Sequence, residues 1–490
     1  MLAFGHSSGN TRQMTRMSRS RAGRAAQLGG LVGTEAARHA VHRTAAILHA
    51  PGGDPARARD ALLAERIVTV LGGMRGLAMK FGQMLSIVDP GMVEPQRRDL
   101  FQAVLADLQD NAPAVPWHQM RGLLEQELGN DLDAAFAEFD REPVAAASIG
   151  QVYRARLHDG RQVAVKAQYP GIADAVAADL KNLRMLMSVY RLLHPALDTA
   201  TLANEIEERM REELDYRIEA AHTIRLAAGY RAHPFIRIPR VINELSGHRV
   251  LVTEWFEGRP LRAAYDAPQA ARDRLAEILF RFYGGTPYLL HLYSGDPHPG
   301  NVVLFDDGGV GFLDFGLCKA VEPMIAAAEL AALRAGIGGD ADRIVELMEA
   351  RGFASRSEVF PQEAYEIFTR VFGWYLRDEE AEITPEVATD LVALLGFGGG
   401  ADGASVRAFN LPAEHVLRGR ADLQLAAMLG GLRPRANLHA IAREWIFDEP
   451  PRTELGRAHR DWRHHRDGSA PSIPPTSEIC QSEPRSTVIR

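Results

Sequence analysis

Cysteine is scarce in this sequence, since only Cys318 and Cys480 occur among its 490 residues. Two thiols exclude a disulfide framework and a cysteine-ligated metal site, and they favour a reducing compartment. The fold must therefore depend on packing. With 46% hydrophobic and 24% charged residues, a chain of this length is expected to form two or three cores.

Long apolar runs are missing as well. No segment approaches the roughly 20 apolar residues that a membrane-spanning helix needs, and the first residues contain no secretory apolar core. The formal net charge of -7 argues against a surface built to neutralise nucleic-acid phosphates. We expect a cytoplasmic protein, soluble or peripheral at a membrane, with no transmembrane helix and no nucleic-acid partner.

Lysine is the third scarcity. It occurs at four positions only, while arginine supplies positive charge everywhere else. An ammonium group is a compact point charge that the planar guanidinium cannot imitate, so a retained lysine can mark a functional position. Lys181 and Lys319 are interpreted as chance survivors, whereas the neighbours of Lys80 and Lys166 point to function.

Periodicity and composition divide the chain into five parts. Residues 1–50 form a basic, disordered arm, with an organelle-targeting or membrane-surface segment as the alternative. We expect a helical extension at 51–128, a small lobe with a β-sheet at 129–258, a mainly helical lobe at 259–447 and a disordered polar tail at 448–490.

The sequence of the small lobe shows both the two-residue period of strands and the helical period of about 3.6 residues. Alternation predicts strands over Ile149–Leu157 and Arg161–Gln168, joined by an Asp-Gly turn. Helical spacing predicts helices over Ile172–Leu193 and Leu202–Ala227. Further strands are expected at Phe235–Val241, His248–Trp255, Val302–Phe305 and Val310–Leu313.

Chemistry is concentrated in the segment that begins at Asp296 and ends at Gly316. Asp296 is followed five residues later by Asn301, and Asp314 follows after a predicted hairpin. Phosphoryl transfer uses this order: a carboxylate for the nucleophile, an amide oxygen for metal, and a second carboxylate that links Mg²⁺ to phosphates. We therefore interpret Asp296 as catalytic and Asn301 and Asp314 as metal ligands. His298, between two prolines, is expected to fix loop shape.

Lys166 lies on the second predicted strand, opposite to the two valines beside it. In kinase-like folds such a lysine grips the α- and β-phosphates and is paired with a helix glutamate. We favour Glu219 as that glutamate, with a solvated acidic face as the alternative. The nucleotide lid is expected just before the hairpin, where alanines replace the usual glycines. Nucleotide binding is assigned to Ala145, Ala146, Ala147, Ser148, Lys166, Glu219 and Glu254.

The upstream sequence Lys80-Phe81-Gly82-Gln83 completes a pattern. It resembles the KxGQ signature of the UbiB/ABC1 (AarF, COQ8/ADCK-like) family of atypical kinases, and the alanine-rich loop, Glu213-Leu214-Asp215, the GDPHPGN loop and DFG follow in family order. The resemblance implies a bilobal, protein-kinase-like α+β fold. It also implies a regulatory role for Lys80, Gln83, Glu213 and Asp215, with the KxGQ helix packed over the active site.

The resemblance implies ATP or ADP with Mg²⁺ as cofactors, and lipid or quinone precursors or a membrane surface as partners. We expect a magnesium-dependent ATPase or phosphotransferase that supports quinone or isoprenoid-lipid metabolism. A nucleotide-gated scaffold without phosphate transfer is the alternative. A small-molecule phosphotransferase would share the catalytic loop and the DFG segment, but it would not need the KxGQ segment.

Overall fold

The computed structural model describes residues 115–147, 149–193, 204, 207, 208, 210–353, 359–395 and 413–467. The expected basic arm and most of the expected helical extension lie outside these residues. Within them the chain has a β-sheet lobe followed by a mainly helical lobe, which agrees with the kinase-like α+β prediction. Among the described helices, none is long and apolar enough to cross a membrane.

The small lobe is built on a five-stranded antiparallel sheet. Strand order is β1-β3-β4-β6, and β2 pairs with β3. The elements in chain order are α1 (Trp117–Leu128), α2 (Leu132–Ala135), β1 (Glu138–Phe139), β2 (Ala145–Ala147), β3 (Gly150–Arg156), β4 (Gln162–Gln168), α3 (Ile172–Leu193), α4 (Tyr216–Gly229), β5 (Ile236–Arg237) and β6 (Val250–Glu254).

One face of this sheet forms the first core. Val163, Val165 and Ala167 of β4 point into it and are fully buried, together with Tyr153 of β3. Helix α1 covers this face with Met120, Leu123 and Leu124. Because side chains alternate along a strand, Lys166 must project from the opposite face.

The predicted helix over Leu202–Ala227 is wrong as a single element. Residues 210–213 are helical, but Leu214 and Asp215 interrupt the helix before α4 begins at Tyr216. The side chain of Asp215 accepts a hydrogen bond from the backbone N–H of Arg217, so it caps a new helix. The helical periodicity continues through this acidic run, so the pattern alone predicts a helix interior at Leu214 and Asp215.

The larger lobe contains a second sheet and most of the helices. Strand order there is β5-β10-β9-β7, with two further strand pairs, β8-β11 and β12-β13. Its elements are β7 (Arg259–Pro260), α5 (Gln269–Phe280), α6 (Thr286–Leu290), β8 (Leu292–Ser294), β9 (Val302–Leu304), β10 (Val310–Phe312), β11 (Cys318–Ala320), α7 (Pro323–Gly338), α8 (Ala341–Ala350), α9 (Pro361–Leu376), β12 (Ala381–Glu382), α10 (Pro385–Leu395), α11 (Ala413–Leu432), β13 (Arg435–Ala436), α12 (Leu438–Ile446) and α13 (Glu454–Asp467).

A π-helical turn, Arg281–Gly285, joins α5 to α6 in the second core. Phe282 of this turn stacks on Phe312 of β10, with ring centroids 3.7 Å apart. Phe312 is fully buried and lies two residues before Asp314. The central helices of the large lobe are therefore packed directly against the strand that leads to the DFG segment.

The prediction of a disordered tail from residue 448 is wrong for α13. This helix is polar, but Leu455 and Trp462 are spaced seven residues apart and are both buried. Trp462 stacks on Tyr230 with ring centroids 5.7 Å apart, and its indole N–H donates to the Arg231 carbonyl at 2.9 Å. Two anchors on one helix face are enough to dock it, although the composition alone indicated disorder.

Candidate active site

Lys166 lies at the centre of a three-residue ion cluster. Its Nζ donates to both carboxylate oxygens of Glu219 at 2.8 Å, and it contacts Asp314 Oδ2 at 3.2 Å. The pairing of Lys166 with Glu219 that the sequence favoured is therefore present. Burial would lower the pKa of Lys166, but Asp314 and Glu219 outweigh it and hold that pKa well above its ordinary value. The lysine is charged at neutral pH.

The sheet and an aromatic ring hold this lysine in position. Lys166 is paired with Val152 of β3 on one side and Leu251 of β6 on the other. Its Nζ lies 5.2 Å from the centre of the Tyr216 ring, which is within range of a cation–π interaction. Backbone pairing on both sides of β4 fixes the Cα of Lys166, and Glu219 and Asp314 hold its ammonium group in the cluster.

Helix α4 presents Glu219 from the other side. Asp215 caps its first turn, and Glu219 follows one turn later with its side chain 7% exposed. One turn further along, a ring nitrogen of His222 lies 3.1 Å from the Phe315 carbonyl oxygen, so it carries the proton and donates. This contact joins α4 to the DFG segment. Sequence reasoning missed His222, although its spacing of three residues from Glu219 places both on one helix face.

Asp314 and Asn301 meet at one end of the β9–β10 hairpin. Phe312 is paired with Val302, and the N–H of Leu313 donates to the carbonyl of Asn301 at 2.8 Å. The predicted hairpin geometry is therefore present. Asp314 has a left-handed backbone, with φ of 59°, and its Oδ1 accepts from the N–H of Gly316 at 3.3 Å.

These two side chains fit a magnesium ion. The Asp314 carboxylate is 40% exposed, so it is open to a ligand although Lys166 contacts it. The Nδ2 of Asn301 donates to the Asp296 carbonyl at 3.4 Å, which leaves its amide oxygen free for metal. Among the described residues no three acidic, histidine or cysteine side chains cluster as a metal cage. Mg²⁺ commonly takes one or two protein oxygens and completes its shell with phosphates and water.

Asp296, interpreted as catalytic, is held by a helix that the sequence did not connect to it. Its Oδ1 accepts from Arg420 at 2.9 Å and from Gln424 at 3.1 Å, both on α11. Arg420 is buried, with 5% of its surface exposed. Nearby, His298 Nδ1 accepts from the N–H of Gly300, which agrees with its expected role in fixing the loop.

The alanine-rich segment is a strand and not a loop. Ala145–Ala147 form β2, which pairs with β3 from Val152 to Gly150; Ser148 lies outside the described residues. Glycine is required at position 150, the first residue of β3, since a Cβ there would lie 2.3 Å from the Ala167 carbonyl oxygen. The assignment of the alanine-rich segment as nucleotide lid remains a prediction. In the structure this segment lies on the β2–β3 hairpin.

The remaining predicted residues are spread more widely. Glu213 is 7% exposed, whereas Asp215 is paired with the Arg217 guanidinium at 2.7 Å. Glu254 ends β6 and contacts Arg240 at 3.4 Å. Lys80 and Gln83 lie outside the described residues, so the predicted KxGQ contacts stay a prediction.

Comparison with known proteins identifies the family. A model of the ABC1 atypical kinase-like domain matches residues 107–348. A solved structure of Rv3197 with erythromycin, from Mycobacterium tuberculosis, is 30% identical, with a TM-score of 0.59 over 79% of this chain and 97% of that one. The chain belongs to the ABC1 atypical kinase-like family.

Curated relatives carry kinase names. The atypical kinase coq-8, mitochondrial, of Caenorhabditis elegans is 32% identical over 300 residues, which are 60% of this chain and 39% of that protein. The atypical kinase COQ8B, mitochondrial, of Rattus norvegicus is 35% identical over 285 residues, or 58% of this chain and 53% of that protein. The chain therefore spans about two fifths to one half of the length of these curated relatives.

Proposed function

We propose that this ABC1-family chain binds Mg–ATP or Mg–ADP and acts as a magnesium-dependent ATPase or phosphotransferase. One observation carries the proposal: Lys166 is charged and lies within hydrogen-bond distance of both Glu219 and Asp314. A lysine held by a helix glutamate beside a metal-binding aspartate is the phosphate-binding arrangement of kinase-like folds.

Each side chain has a separate part in this proposal. Lys166 would bind the α- and β-phosphates, and Glu219 would keep its ammonium group in place. Asn301 and Asp314 would hold Mg²⁺, which supplies charge neutralisation for the phosphates. Asp296 would orient the attacking hydroxyl or water.

Slow turnover belongs to the proposal. Alanine limits the backbone of β2 and keeps amide groups further from phosphate oxygens than glycine would. We expect a turnover below the roughly 1–100 per second of ordinary protein kinases. Quinone or isoprenoid-lipid precursors as partners, and a peripheral position at a membrane surface, rest on the family resemblance alone.

A nucleotide-gated scaffold is the second candidate, and the contacts of Asp296 favour it. Oδ1 of this carboxylate is already occupied by Arg420 and Gln424. In that arrangement one of the two oxygens is withdrawn from an incoming hydroxyl. A protein that only senses nucleotide would need Lys166 and Asp314 but could keep Asp296 in this contact.

The deciding experiment measures both nucleotide binding and ATP hydrolysis on the full chain, with Mg²⁺ or with EDTA. Asp314→Asn and Lys166→Arg should weaken nucleotide binding at least tenfold, about 1.4 kcal/mol. Lys181→Arg, at an exposed position on α3, is the matched control and should change nothing.

Asp296→Asn separates the two candidates. Hydrolysis that this substitution abolishes, with binding retained, supports the enzyme. Binding without hydrolysis in the wild type, unaffected by Asp296→Asn, supports the scaffold. Nucleotide binding that survives both Asp314→Asn and Lys166→Arg would contradict both.

A further inference from the structure

A second cleft lies in the large lobe, apart from the ion cluster. It opens between the π-helical turn Arg281–Gly285, helices α6 and α7, and the C-terminal helices α12 and α13, and it offers about 130 Å³ of solvent-accessible space. None of the residues interpreted as nucleotide-binding or catalytic lines it. Its walls contain both apolar side chains and hydrogen-bond donors.

The apolar wall is formed around one indole ring. Trp445 faces the backbone of Gly284 and Gly285, where an added Cβ would lie 3.6 to 3.7 Å from ring atoms. Leu289 and Leu330 continue this wall, and all three side chains are partly exposed. A flat aromatic surface bordered by aliphatic groups, accessible from solvent, suits the apolar body of a small molecule.

The deepest charges in the cleft are paired with each other, one arginine with two carboxylates. Arg281 is 3% exposed and donates to both oxygens of Glu444, at 2.7 and 2.8 Å. It also contacts Glu277 of the preceding turn at 2.8 Å. These groups form a closed set, because a bidentate pair uses both carboxylate oxygens. A ligand must therefore find its polar partners elsewhere.

A chain of hydrogen bonds fixes the proton on His459. The backbone N–H of Ile236 donates to Nδ1 of His233 at 2.9 Å, so the proton of His233 lies on Nε2. That Nε2–H donates in turn to Nδ1 of His459, also at 2.9 Å. His459 must then carry its own proton on Nε2.

The imidazole of His459 stays neutral, and its Nε2–H is available to a ligand. Burial first, and then the positive charges of Arg281, Arg463 and Arg466, lower the pKa of His459 to about 3. His459 lines the cleft, and no protein acceptor for its Nε2–H occurs among the described residues. The Nε2–H of His459 can therefore donate a hydrogen bond to a ligand in the cleft.

Arg463 supplies a second donor on the same helix face. It follows His459 by four residues and also lines the cleft, half-buried. Within the described ranges it has no acidic partner at salt-bridge distance. Besides the paired carboxylates Glu277 and Glu444, Asp448 at the rim also opposes an anion, but it is exposed, so water screens it.

We propose that this cleft is a binding site for a small amphipathic carboxylate, held by the imidazole N–H of His459 and the guanidinium of Arg463. Its aryl or alkyl body lies against Trp445, Leu289 and Leu330. The site is independent of the nucleotide. Aromatic and aliphatic acids share this chemistry, and the probes distinguish them.

Binding to the full chain is measured by titration calorimetry with three probes: 2-naphthoate, decanoate and the cation 2-naphthylmethylammonium. The two carboxylates should bind at least tenfold more tightly than the cation. A preference for 2-naphthoate over decanoate indicates an aromatic acid, and the reverse indicates a fatty acid. Equal binding of anion and cation would overturn the proposal.

Variants locate the site. Arg463→Gln should weaken 2-naphthoate about tenfold, roughly 1.4 kcal/mol, while Asp448→Asn should strengthen it. Arg460→Gln, at an exposed position of the same helix, is the matched control and should have no effect. The proposal fails if Arg463→Gln and Arg460→Gln give the same affinity as wild type.

Two further variants test the His459 donor and the separation of the cleft from the nucleotide site. His459→Phe keeps an aromatic ring but removes the donor, and its folding is checked by circular dichroism before titration. Asp314→Asn should leave 2-naphthoate binding unchanged, because it alters only the nucleotide site. A loss of carboxylate binding in Asp314→Asn would place the ligand at the ion cluster and refute a separate site.

Discussion

Arg420 donates a hydrogen bond of 2.9 Å to Oδ1 of Asp296, across 124 positions of the sequence. Gln424, one turn along the same helix, donates to the same oxygen at 3.1 Å. A charge-assisted contact from a buried arginine holds a carboxylate firmly. In the proposed enzyme, helix α11 would therefore control which oxygen of Asp296 meets a substrate hydroxyl.

Arg420→Gln should increase ATP hydrolysis, because it removes the charged donor of the two that hold Asp296 Oδ1 and leaves only Gln424. A hydrogen bond to a charged group contributes about 1.5–3 kcal/mol, so its loss permits a rise of about tenfold. Nucleotide affinity should stay within twofold. Steady-state hydrolysis and nucleotide titration check this, with Arg460→Gln as control. Slower hydrolysis would mean that Arg420 positions Asp296 productively.

A double-mutant cycle tests the ion pair of Lys166 and Glu219. Lys166→Met leaves a buried carboxylate without its main partner, and Glu219→Gln leaves the lysine with Asp314 alone. Breaking a buried pair in this way costs about 3–5 kcal/mol. Each single variant should lower the free energy of unfolding, and the double variant should recover part of the loss. Urea denaturation measures it; strictly additive losses would contradict direct coupling.

Because the imidazoles of His233 and His459 resist protonation in the folded chain, we expect the protein to lose stability in mild acid. Burial lowers the pKa of His459 to about 3 and that of His233 further still, against ordinary values near 6.5. Below 6.5 the unfolded chain binds protons that the folded chain refuses, so stability falls as the pH drops from 6.5 toward 3. Each group contributes up to about 1.4 kcal/mol per pH unit.

Urea unfolding at pH 7, 6 and 5 measures this slope. His459→Phe should reduce it by removing one of the two groups, while His464→Gln, at an exposed position of the same helix, should not. An unchanged slope in His459→Phe would show that other residues titrate in this range.

Asp179 acts in the opposite direction. Burial raises the pKa of this carboxyl to about 7, so the folded chain retains a proton that the unfolded chain loses above about pH 4. Stability then falls as the pH rises from 4 to 7, and Asp179→Asn should stabilise the protein at pH 8 by about 2 kcal/mol. Little change is expected at pH 4. Thermal unfolding at both pH values, with exposed Asp174→Asn as control, tests it.

Local pattern was enough to predict the strands that carry Lys166 and the hairpin that carries Asn301 and Asp314. Strand alternation placed Lys166 opposite Val165, and helical periodicity matched α3 from Ile172 to Leu193. The hairpin that joins Asn301 to Asp314 followed from spacing and turn residues. Each of these features depends on residues that are close in the sequence or constrained by one element.

The sequence could not predict contacts between residues that are far apart along the chain. Nothing near Arg420 indicates that it reaches Asp296, and nothing near His459 indicates His233, 226 positions earlier. Helix α13 was missed because its burial depends on two side chains. The break at Asp215 left a signal, since aspartate is a favoured helix cap, but an acidic run concealed it.

The π-helical turn makes chain length itself a constraint. A π-turn contains about one residue more than an α-turn; deleting one residue would restore the α-helix and rotate everything that follows by about 100°. Arg281 would keep its place between Glu277 and Glu444, but α6 would point elsewhere. Insertions and deletions that surface loops accept are therefore excluded between Arg281 and Gly285, where the number of residues matters as much as their kind.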